Sequence, residues 1–304
     1  MHHPPSTTSG GLLVIGSAAP FDTPGAGLST VDHDATGSGG AGPCHLAVHP
    51  SGSLLFAAHY GDGVLSVIPI DADDALAASE PVQTIRHPDG EASGQLRSPH
   101  AHMAAPSPDG RFLLCTDLGT DRIHVHAFEP VTGRLGVHRT VRLPADRGPR
   151  HLVFHPSAKH VYVLNEFSAT LTVCTWDALA GRLEPVAELP TRRDPDAPNA
   201  NYAAAVRVSA DGRFLYTTNR GDDAIAVHAL HDDGAAVDLV DVTACGGSWP
   251  RDIALSTDER LLFCANQGSD TLTAFRRDPA SGRLTPAGEP LVITEPTSVL
   301  PVVP

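Results

Sequence analysis

The sequence has few charged residues, and basic ones are the scarcer kind. Charged side chains make up 18% of the 304 residues, and 21 lysines and arginines against 35 aspartates and glutamates give a formal net charge of −14. Proteins that bind nucleic-acid backbones or anionic lipid surfaces usually do so through patches of lysine and arginine. The charge balance therefore argues against a nucleic-acid partner and against docking on a membrane. Hydrophobic residues, at 41%, still indicate a globular chain.

Long apolar segments and paired cysteine motifs are also missing. No stretch approaches the roughly 20 apolar residues of a transmembrane helix. The first apolar run, Leu12 to Ile15, is too short for the core of a signal peptide, and no lysine or arginine precedes it. Five cysteines contain no C-x-x-C pair, which disfavours a zinc ribbon or a thioredoxin-type motif. These features predict a reducing compartment, the cytoplasm.

The common catalytic and nucleotide-binding motifs are absent as well. The chain has no G-x-S-x-G elbow, no Walker loop and no G-x-G-x-x-G. Hydrolysis by a serine-based triad and nucleotide binding lose support accordingly. Trp176-Asp177 matches the dipeptide of WD40 repeats, but it occurs once, and we attribute it to chance.

What the chain does have is glycine, proline and an internal repeat. The 28 glycines and 27 prolines are typical of a chain with many short strands joined by turns. A short apolar strand, a Pro/Asp/Gly turn, a second apolar strand and a third strand recur from Gly42, Ser98, Gly148, Asn201 and Trp249, with a partial copy from Glu295. Matching positions lie 58, 48, 54, 47 and 46 residues apart. A period of about 50 built from short strands predicts an all-β fold, a β-propeller.

The two ends of the chain complete this prediction. Leu12–Ser17 resembles a second strand and Leu28–Asp32 a third, whereas Pro296–Val303 resembles a first strand with no successor. Joining them closes the ring and predicts six blades in a single domain, residues 1–304, with residues 1–11 disordered. A β-sandwich or two unrelated β domains is the alternative.

Equivalent positions of different blades meet around the axis of a propeller, so the repeat alignment also predicts a site. The residue that opens the first strand is Cys44, His102, Arg150, Ala204, Arg251 or Thr297, and the residue near the end of the second is Tyr60, Leu118, Glu166, Arg220 or Gln267. We predict that His102, Arg150, Glu166 and Arg220 are catalytic. Guanidinium groups suit a carboxylate, a phosphate or a developing oxyanion, and a carboxylate with an imidazole suits proton transfer.

Further polar positions are candidates for substrate binding: His100, Asp117, His151, Asn165, Asn219, Arg251 and Gln267. Several have structural alternatives. The asparagines more often satisfy backbone groups at strand ends, Asp117 could do the same or orient a histidine, and Arg251 could be an ion-pair partner.

Two histidine pairs raise the question of a metal. His100-Ala-His102 resembles a pair of metal ligands, but no cysteine or acid completes a set nearby, so no metal site is expected. His124-Val-His126 falls in a third strand and is expected on the surface.

Several motifs resemble the bacterial 6-phosphogluconolactonase family of lactonase-type propellers and the fungal carboxy-muconate lactonizing enzymes. They are Pro99-His-Ala-His102, Gly148-Pro-Arg-His-Leu-Val-Phe-His-Pro156, Asn165-Glu166, Asp211-Gly-Arg-Phe-Leu-Tyr216, Asn219-Arg220, Pro250-Arg251 and Ala265-Asn-Gln267. The resemblance covers nearly all of Gly42–Val303. It implies a metal-independent enzyme of carbohydrate metabolism without a cofactor, with its site in the central channel. The family's catalytic His, Arg, Glu and second Arg fall on His102, Arg150, Glu166 and Arg220.

The chain departs from this family in length. Members usually have seven blades, whereas about forty residues precede Gly42 here, which is one blade too few. Pocket width and substrate choice can differ as a result.

Three functions follow as hypotheses. The first is hydrolysis of a small anionic sugar-acid lactone, with Arg150 and Arg220 on the anion or carbonyl, Glu166 as base and His102 as acid, or the last two exchanged. The second is a cycloisomerase, or a natural-product cyclase, that uses the same site and excludes water. The third is a propeller that only binds partners. A monomer or homodimer is expected.

Overall fold

The computed structural model describes residues 12–17, 39–70, 81–90, 98–129, 132 and 134–302. After β1 (Leu12–Ser17) come five antiparallel sheets in chain order, which we call the first to fifth blades. They are β2–β5 (Pro43–Val48, Leu54–His59, Val64–Pro69, Gln83–Arg86), β6–β9 (Ala101–Pro106, Phe112–Asp117, Arg122–Glu129, Arg134–Arg142), β10–β13 (Pro149–Phe154, His160–Asn165, Thr170–Asp177, Arg182–Pro190), β14–β17 (Tyr202–Val208, Phe214–Arg220, Ala224–His231, Ala236–Ala244) and β18–β22 (Pro250–Leu255, Leu261–Asn266, Thr271–Arg277, Leu284–Pro286, Leu291–Val292). The chain then forms β23 (Pro296–Val302). The all-β prediction is confirmed, since these residues contain two 3-10 turns and no α-helix.

Each blade is a meander whose second and third strands are mostly buried and whose outer strand is more exposed. Every residue of β3, β7 and β15 is buried, as expected of strands covered on both faces. The outer strands β9 and β13 are mostly exposed.

The turn between the first and second strands repeats the predicted geometry. Gly52, Gly110 and Gly212 have φ of 78°, 69° and 69°, the left-handed region where glycine carries no steric cost. In the third and fifth blades Ala158 and Glu259 occupy the same turn with φ of 55° and 53°. The backbone conformation of the turn is therefore the same in the two blades that have no glycine at this position.

The predicted pairing of the chain ends is confirmed. β1 runs antiparallel to β23, from Leu12 opposite Val302 to Ser17 opposite Pro296. β23 also packs against β18 and β19 of the fifth blade. The predicted strand Leu28–Asp32 and the predicted disorder of residues 1–11 lie outside the described residues. Six blades, ring closure and a single domain over residues 1–304 stay predictions.

The core lies between successive blades rather than within one. First strands pack in the order β2, β6, β10, β14 and β18. Between the second and third blades, Leu114 and Ile123 share a buried cluster with Val163 and Trp176. This packing fixes where the polar ends of the inner strands come together. No helix among the described residues is long and apolar enough to span a membrane.

The packing between blades can be tested by a pair of substitutions in the second blade. Leu114 is fully buried, so Leu114→Ala should lower the free energy of unfolding by about 2–5 kcal/mol. Val137 in β9 is 63% exposed, so Val137→Ala should change it by no more than about 0.5 kcal/mol. Urea unfolding measures both, and equal effects would contradict the core placed here.

Candidate active site

One carboxylate joins the third and fourth blades at the ends of their second strands. Glu166 follows β11, and its Oε2 lies 3.0 Å from Nε of Arg150 and 2.8 Å from Nη2 of Arg220. Arg150 and Arg220 are 2% and 5% exposed. Burial strengthens each charge–charge contact, and the carboxylate offsets part of the cost of desolvating two guanidinium groups.

Backbone carbonyls hold both guanidinium groups in place. Arg150 donates from Nη1 to the carbonyl of Ala204 and to Nε2 of His151, the latter at 3.3 Å. Arg220 donates to the carbonyls of Tyr202 and Ala203, each at 3.2 Å. Its guanidinium also lies 5.4 Å from the centre of the Trp249 ring, a cation–π contact. The arginines are therefore fixed before any ligand arrives.

A third guanidinium group lies in the same cluster. Arg251, near the start of β18, donates to Oε1 of Gln267 at 3.3 Å. Burial and repulsion from Arg220 lower the pKa of Arg251, and the same two causes lower the pKa of Arg150 to about 9. Three guanidinium groups and one carboxylate leave two net positive charges in a chain of net charge −14. An anion bound here would relieve this repulsion.

A group of imidazoles adjoins the arginines. His102, on β6, is 4% exposed, and its ring centre lies 5.2 Å from that of His151 and 5.8 Å from that of Tyr60. Burial, and then the charges of Arg150 and Arg251, hold the pKa of His102 well below its ordinary value. Burial and Arg150 do the same for His151. Both rings are therefore neutral near pH 7.

Residues next to His102 that the sequence did not single out complete this group. The His45 ring lies 5.7 Å from that of His151, and burial lowers the pKa of His45 to about 3. The Cys44 thiol donates to the carbonyl of His102 at 3.3 Å. Burial raises the pKa of Cys44 to about 12, so it remains a thiol and is a poor nucleophile. Cys44 and Tyr60 occupy aligned positions of the repeat, but their residue types did not indicate a function.

The structure uses the predicted asparagines to link strands. Asn165 Nδ2 donates to the hydroxyls of Thr170 and Thr172 in the third strand of its own blade. Asn219 exchanges hydrogen bonds with Thr191 at 2.8 and 2.9 Å, across to the preceding blade. Both side chains are buried and the Nδ2 group of each donates to a neighbouring residue, which favours the structural alternative for this column.

His100 and Asp117 hold the loop in front of β6. The His100 ring donates from Nδ1 to the carbonyl of Tyr60 at 2.6 Å, and Ser98 Oγ lies 3.1 Å from its Nε2. Asp117 Oδ1 accepts backbone N–H groups from His100, Gly119 and Thr120 at 2.9, 3.2 and 3.2 Å. The His100–His102 pair is thus divided, since both ring nitrogens of His100 are already engaged by neighbours.

The expectation that His124 and His126 lie on the surface is wrong. They are 2% and 0% exposed. The third strand of this blade is covered by β9 and by the end of the preceding blade, where His87 stacks on His124 with ring centres 3.9 Å apart. The third-strand position that suggested an exposed pair here lies between blades.

Comparison with known proteins agrees with this architecture. Residues 15–301 match the sequence model of a protein family described as lactonase, 7-bladed beta-propeller. The chain therefore belongs to that family. The described residues contain five blades and the β1–β23 pair, so the family's seventh blade has no counterpart among them.

Three relatives illustrate the similarity. An uncharacterized protein of Lactococcus lactis subsp. cremoris is 33% identical over 292 residues, which cover 92% of this chain and 83% of that one. The 6-phosphogluconolactonase of Bacillus subtilis is 30% identical over 247 residues, 81% and 69% of the two chains. The structure of the periplasmic gluconolactonase of Pseudomonas aeruginosa superposes with a TM-score of 0.80 at 30% identity, over 86% of this chain and 73% of that one. None of these names supports the cyclase alternative.

The excess positive charge predicts that small anions bind to the three arginines. Inorganic phosphate should raise the midpoint of thermal unfolding, and Arg251→Gln should weaken phosphate binding by about tenfold or more, since a charge-assisted hydrogen bond contributes about 1.5–3 kcal/mol. Arg260→Gln removes the same charge from a side chain that is 86% exposed and serves as the control. Equal phosphate affinities of the two variants would place the anion elsewhere.

Proposed function

We propose that the protein hydrolyses a small anionic sugar-acid lactone in a central channel of the propeller. The observation that carries the proposal is the cluster of Arg150, Arg220 and Arg251 around Glu166, next to the neutral His102. A lactone with a phosphate or carboxylate supplies the anion that this cluster lacks. The membership in a lactonase family, and relatives named 6-phosphogluconolactonase and gluconolactonase, support the same reaction class.

The arginines would bind the substrate and stabilise the transition state. Arg251 is tied only to Gln267 in the contacts described here and is the freest of the three to take the anionic group. Arg150 and Arg220 are held by backbone carbonyls and Glu166, so their remaining N–H groups can meet the oxygen of the lactone carbonyl as it becomes an oxyanion. Glu166 would then orient both guanidinium groups.

His102 would move the proton. As a neutral imidazole it can take a proton from water while the water oxygen bonds to the carbonyl carbon. It can return that proton to the ring oxygen when the bond between carbon and ring oxygen breaks, which leaves an open hydroxy acid. The bound anion offsets the arginine charges that lower the pKa of His102, so the substrate itself makes the imidazole a better base.

This assignment differs from the roles first given, because His102 acts as base and then as acid, while Glu166 only orients the arginines. The reason is that a buried imidazole beside two guanidinium groups does not start the reaction as an imidazolium, so it has no extra proton to donate first. Apart from water, side chains of this chain supply every group that the reaction needs, and no cofactor is proposed.

Location in the cytoplasm is a further part of the proposal. All five cysteines are free thiols, and four are buried. Free thiols persist in reducing compartments. The relative from Pseudomonas aeruginosa is called periplasmic, so fractionation of the native cells is the direct check.

A substrate panel tests the reaction class. We expect turnover of 6-phosphogluconolactone and slower turnover of the uncharged glucono-1,5-lactone, each corrected for spontaneous opening. Arg251→Gln should narrow the difference in kcat/KM between the two, because it removes a contact to the anion. Turnover should persist in chelator. Lactone formation from a muconate would favour a cyclase, and no turnover by folded protein would favour a binding platform.

The pH dependence separates the two candidate bases. Activity should fall as the pH drops through the pKa of His102, because protonation removes the base. This acid limb should lie at higher pH in kcat than in kcat/KM, since bound anion raises that pKa. His102→Gln should abolish the limb and lower kcat by about 10²–10⁴, while Glu166→Gln should lower kcat and keep the limb.

The matched control for loss of a buried imidazole is His228→Gln. His228 is fully buried in β16 and bonds Thr217 at 3.2 Å, away from the cluster. His228→Gln should leave kcat and the acid limb of the pH profile unchanged. If the limb disappears in Glu166→Gln and survives in His102→Gln, the carboxylate is the base and the assignment above fails.

A further inference from the structure

One recurring position near the end of the second strand links strands within a blade or between neighbouring blades. In the third blade Asn165 donates to Thr172 Oγ1 at 2.8 Å, and in the fifth Asn266 donates to Thr273 Oγ1 at 3.0 Å. At the matching position of the fourth blade, Asn219 accepts from the hydroxyl of Thr191, the residue after the outer strand of the preceding blade, at 2.8 Å. The asparagine at this position thus bonds either the third strand beside it or the end of the preceding blade's outer strand.

Between the first and second blades the matching positions hold a different set. By strand register they are His87 after β5, Asp117 at the end of β7 and His124 in β8. His87 Nδ1 and His124 Nε2 lie 3.7 and 3.8 Å from Asp117 Oδ2. The three atoms all lie within 4.8 Å of one another. Two imidazoles and a carboxylate, which are common metal ligands, stand here in place of amides and hydroxyls. The distances from the two imidazole nitrogens to Asp117 Oδ2 are longer than a hydrogen bond.

The three facing atoms are the only polar side-chain atoms of this set that lack a hydrogen-bond partner. His87 Nδ1, Asp117 Oδ2 and His124 Nε2 are buried and unsatisfied in a set whose members are 2%, 0% and 2% exposed. Buried polar groups are nearly always satisfied, and a bound ion or water is one explanation for those that are not. Three such atoms that face one another point to a single shared ligand.

The opposite side of each residue is occupied, which fixes its orientation. Asp117 Oδ1 accepts three backbone N–H groups. His124 Nδ1 lies 3.3 Å from Thr140 Oγ1, and His87 Nε2 lies 3.4 Å from Nε2 of His126. Outer partners of this kind orient histidine and carboxylate ligands in metal sites.

We propose that His87 Nδ1, Asp117 Oδ2 and His124 Nε2 bind a divalent transition-metal ion, zinc by its donor set, between the first and second blades. Ligand atoms about 2.0–2.1 Å from a tetrahedral zinc lie about 3.4 Å apart. The two nitrogen–oxygen separations here, 3.7 and 3.8 Å, exceed that value by a few tenths of an ångström, and a water can take the fourth position. The ion takes up all three unsatisfied atoms and neutralises the buried carboxylate.

The role of this ion is structural. The contacts described for the three ligands do not include the guanidinium cluster, so the ion takes no part in the lactone chemistry proposed above. It joins the outer strand of one blade to the inner strands of the next, where hydroxyl and amide groups make that link elsewhere. It also steadies the carboxylate that holds the His100 backbone, two residues before His102.

The test is zinc binding by the full-length protein. Metal content is measured on protein as purified and on protein stripped with chelator in denaturant and refolded with zinc. One zinc per chain is expected, with a higher midpoint of thermal unfolding than for protein refolded without metal. Cobalt(II) in place of zinc should give the visible absorption of a four-coordinate site with nitrogen and oxygen ligands.

Variants separate this site from adventitious binding to other histidines. His87→Gln and His124→Gln should each weaken zinc binding by more than the roughly 10–100-fold seen when an outer partner is lost, and should abolish the cobalt absorption. His228→Gln removes an equally buried histidine and should bind like the unmodified chain. Asp117 is left intact because its second oxygen holds three backbone groups. No stoichiometric zinc after refolding, or zinc binding unchanged in His124→Gln, would overturn the site.

Discussion

The partly buried Glu166 carboxylate holds guanidinium groups from two neighbouring blades on one of its oxygens, and the candidate site depends on this contact. Arg150 and Arg220 are almost wholly removed from water, and either one alone would be an uncompensated buried charge. Shared contact with Glu166 lowers that cost and brings the ends of two blades together. Arg251 extends the cluster without a second carboxylate among its described contacts, and this leaves the site short of negative charge.

That shortage connects the chemistry to the acidic character of the chain. A protein of net charge −14 repels anions at long range, yet three arginines are concentrated in one buried cluster. The same charges hold His102 neutral. A substrate anion would therefore do two things at once, since it satisfies the arginines and makes the neighbouring imidazole more basic. In the proposed reaction, binding and proton transfer would be coupled through the same charges.

Much of the fold and the cluster could be predicted because the sequence repeats. The columns that placed Arg150, Glu166 and Arg220 together relied only on blades being equivalent, and the structure brings these three into contact. The asparagine column and Asp117 were harder, since a polar residue at a strand end looks alike whether it binds a ligand or links two blades. The histidines of β8 were misplaced because their partner, His87, follows the variable outer strand, where the repeat gives no register. Acid and base roles could not be read from residue type, as they depend on burial and on the charges nearby.

The most direct test is a crystal structure with 6-phosphogluconate, the hydroxy acid that 6-phosphogluconolactone would give. The account predicts that its phosphate or carboxylate lies within hydrogen-bond distance of at least two of Arg150, Arg220 and Arg251, with a hydroxyl oxygen near His102. A product bound elsewhere on the propeller, or the three arginines closed off from any cavity that admits it, would contradict the account.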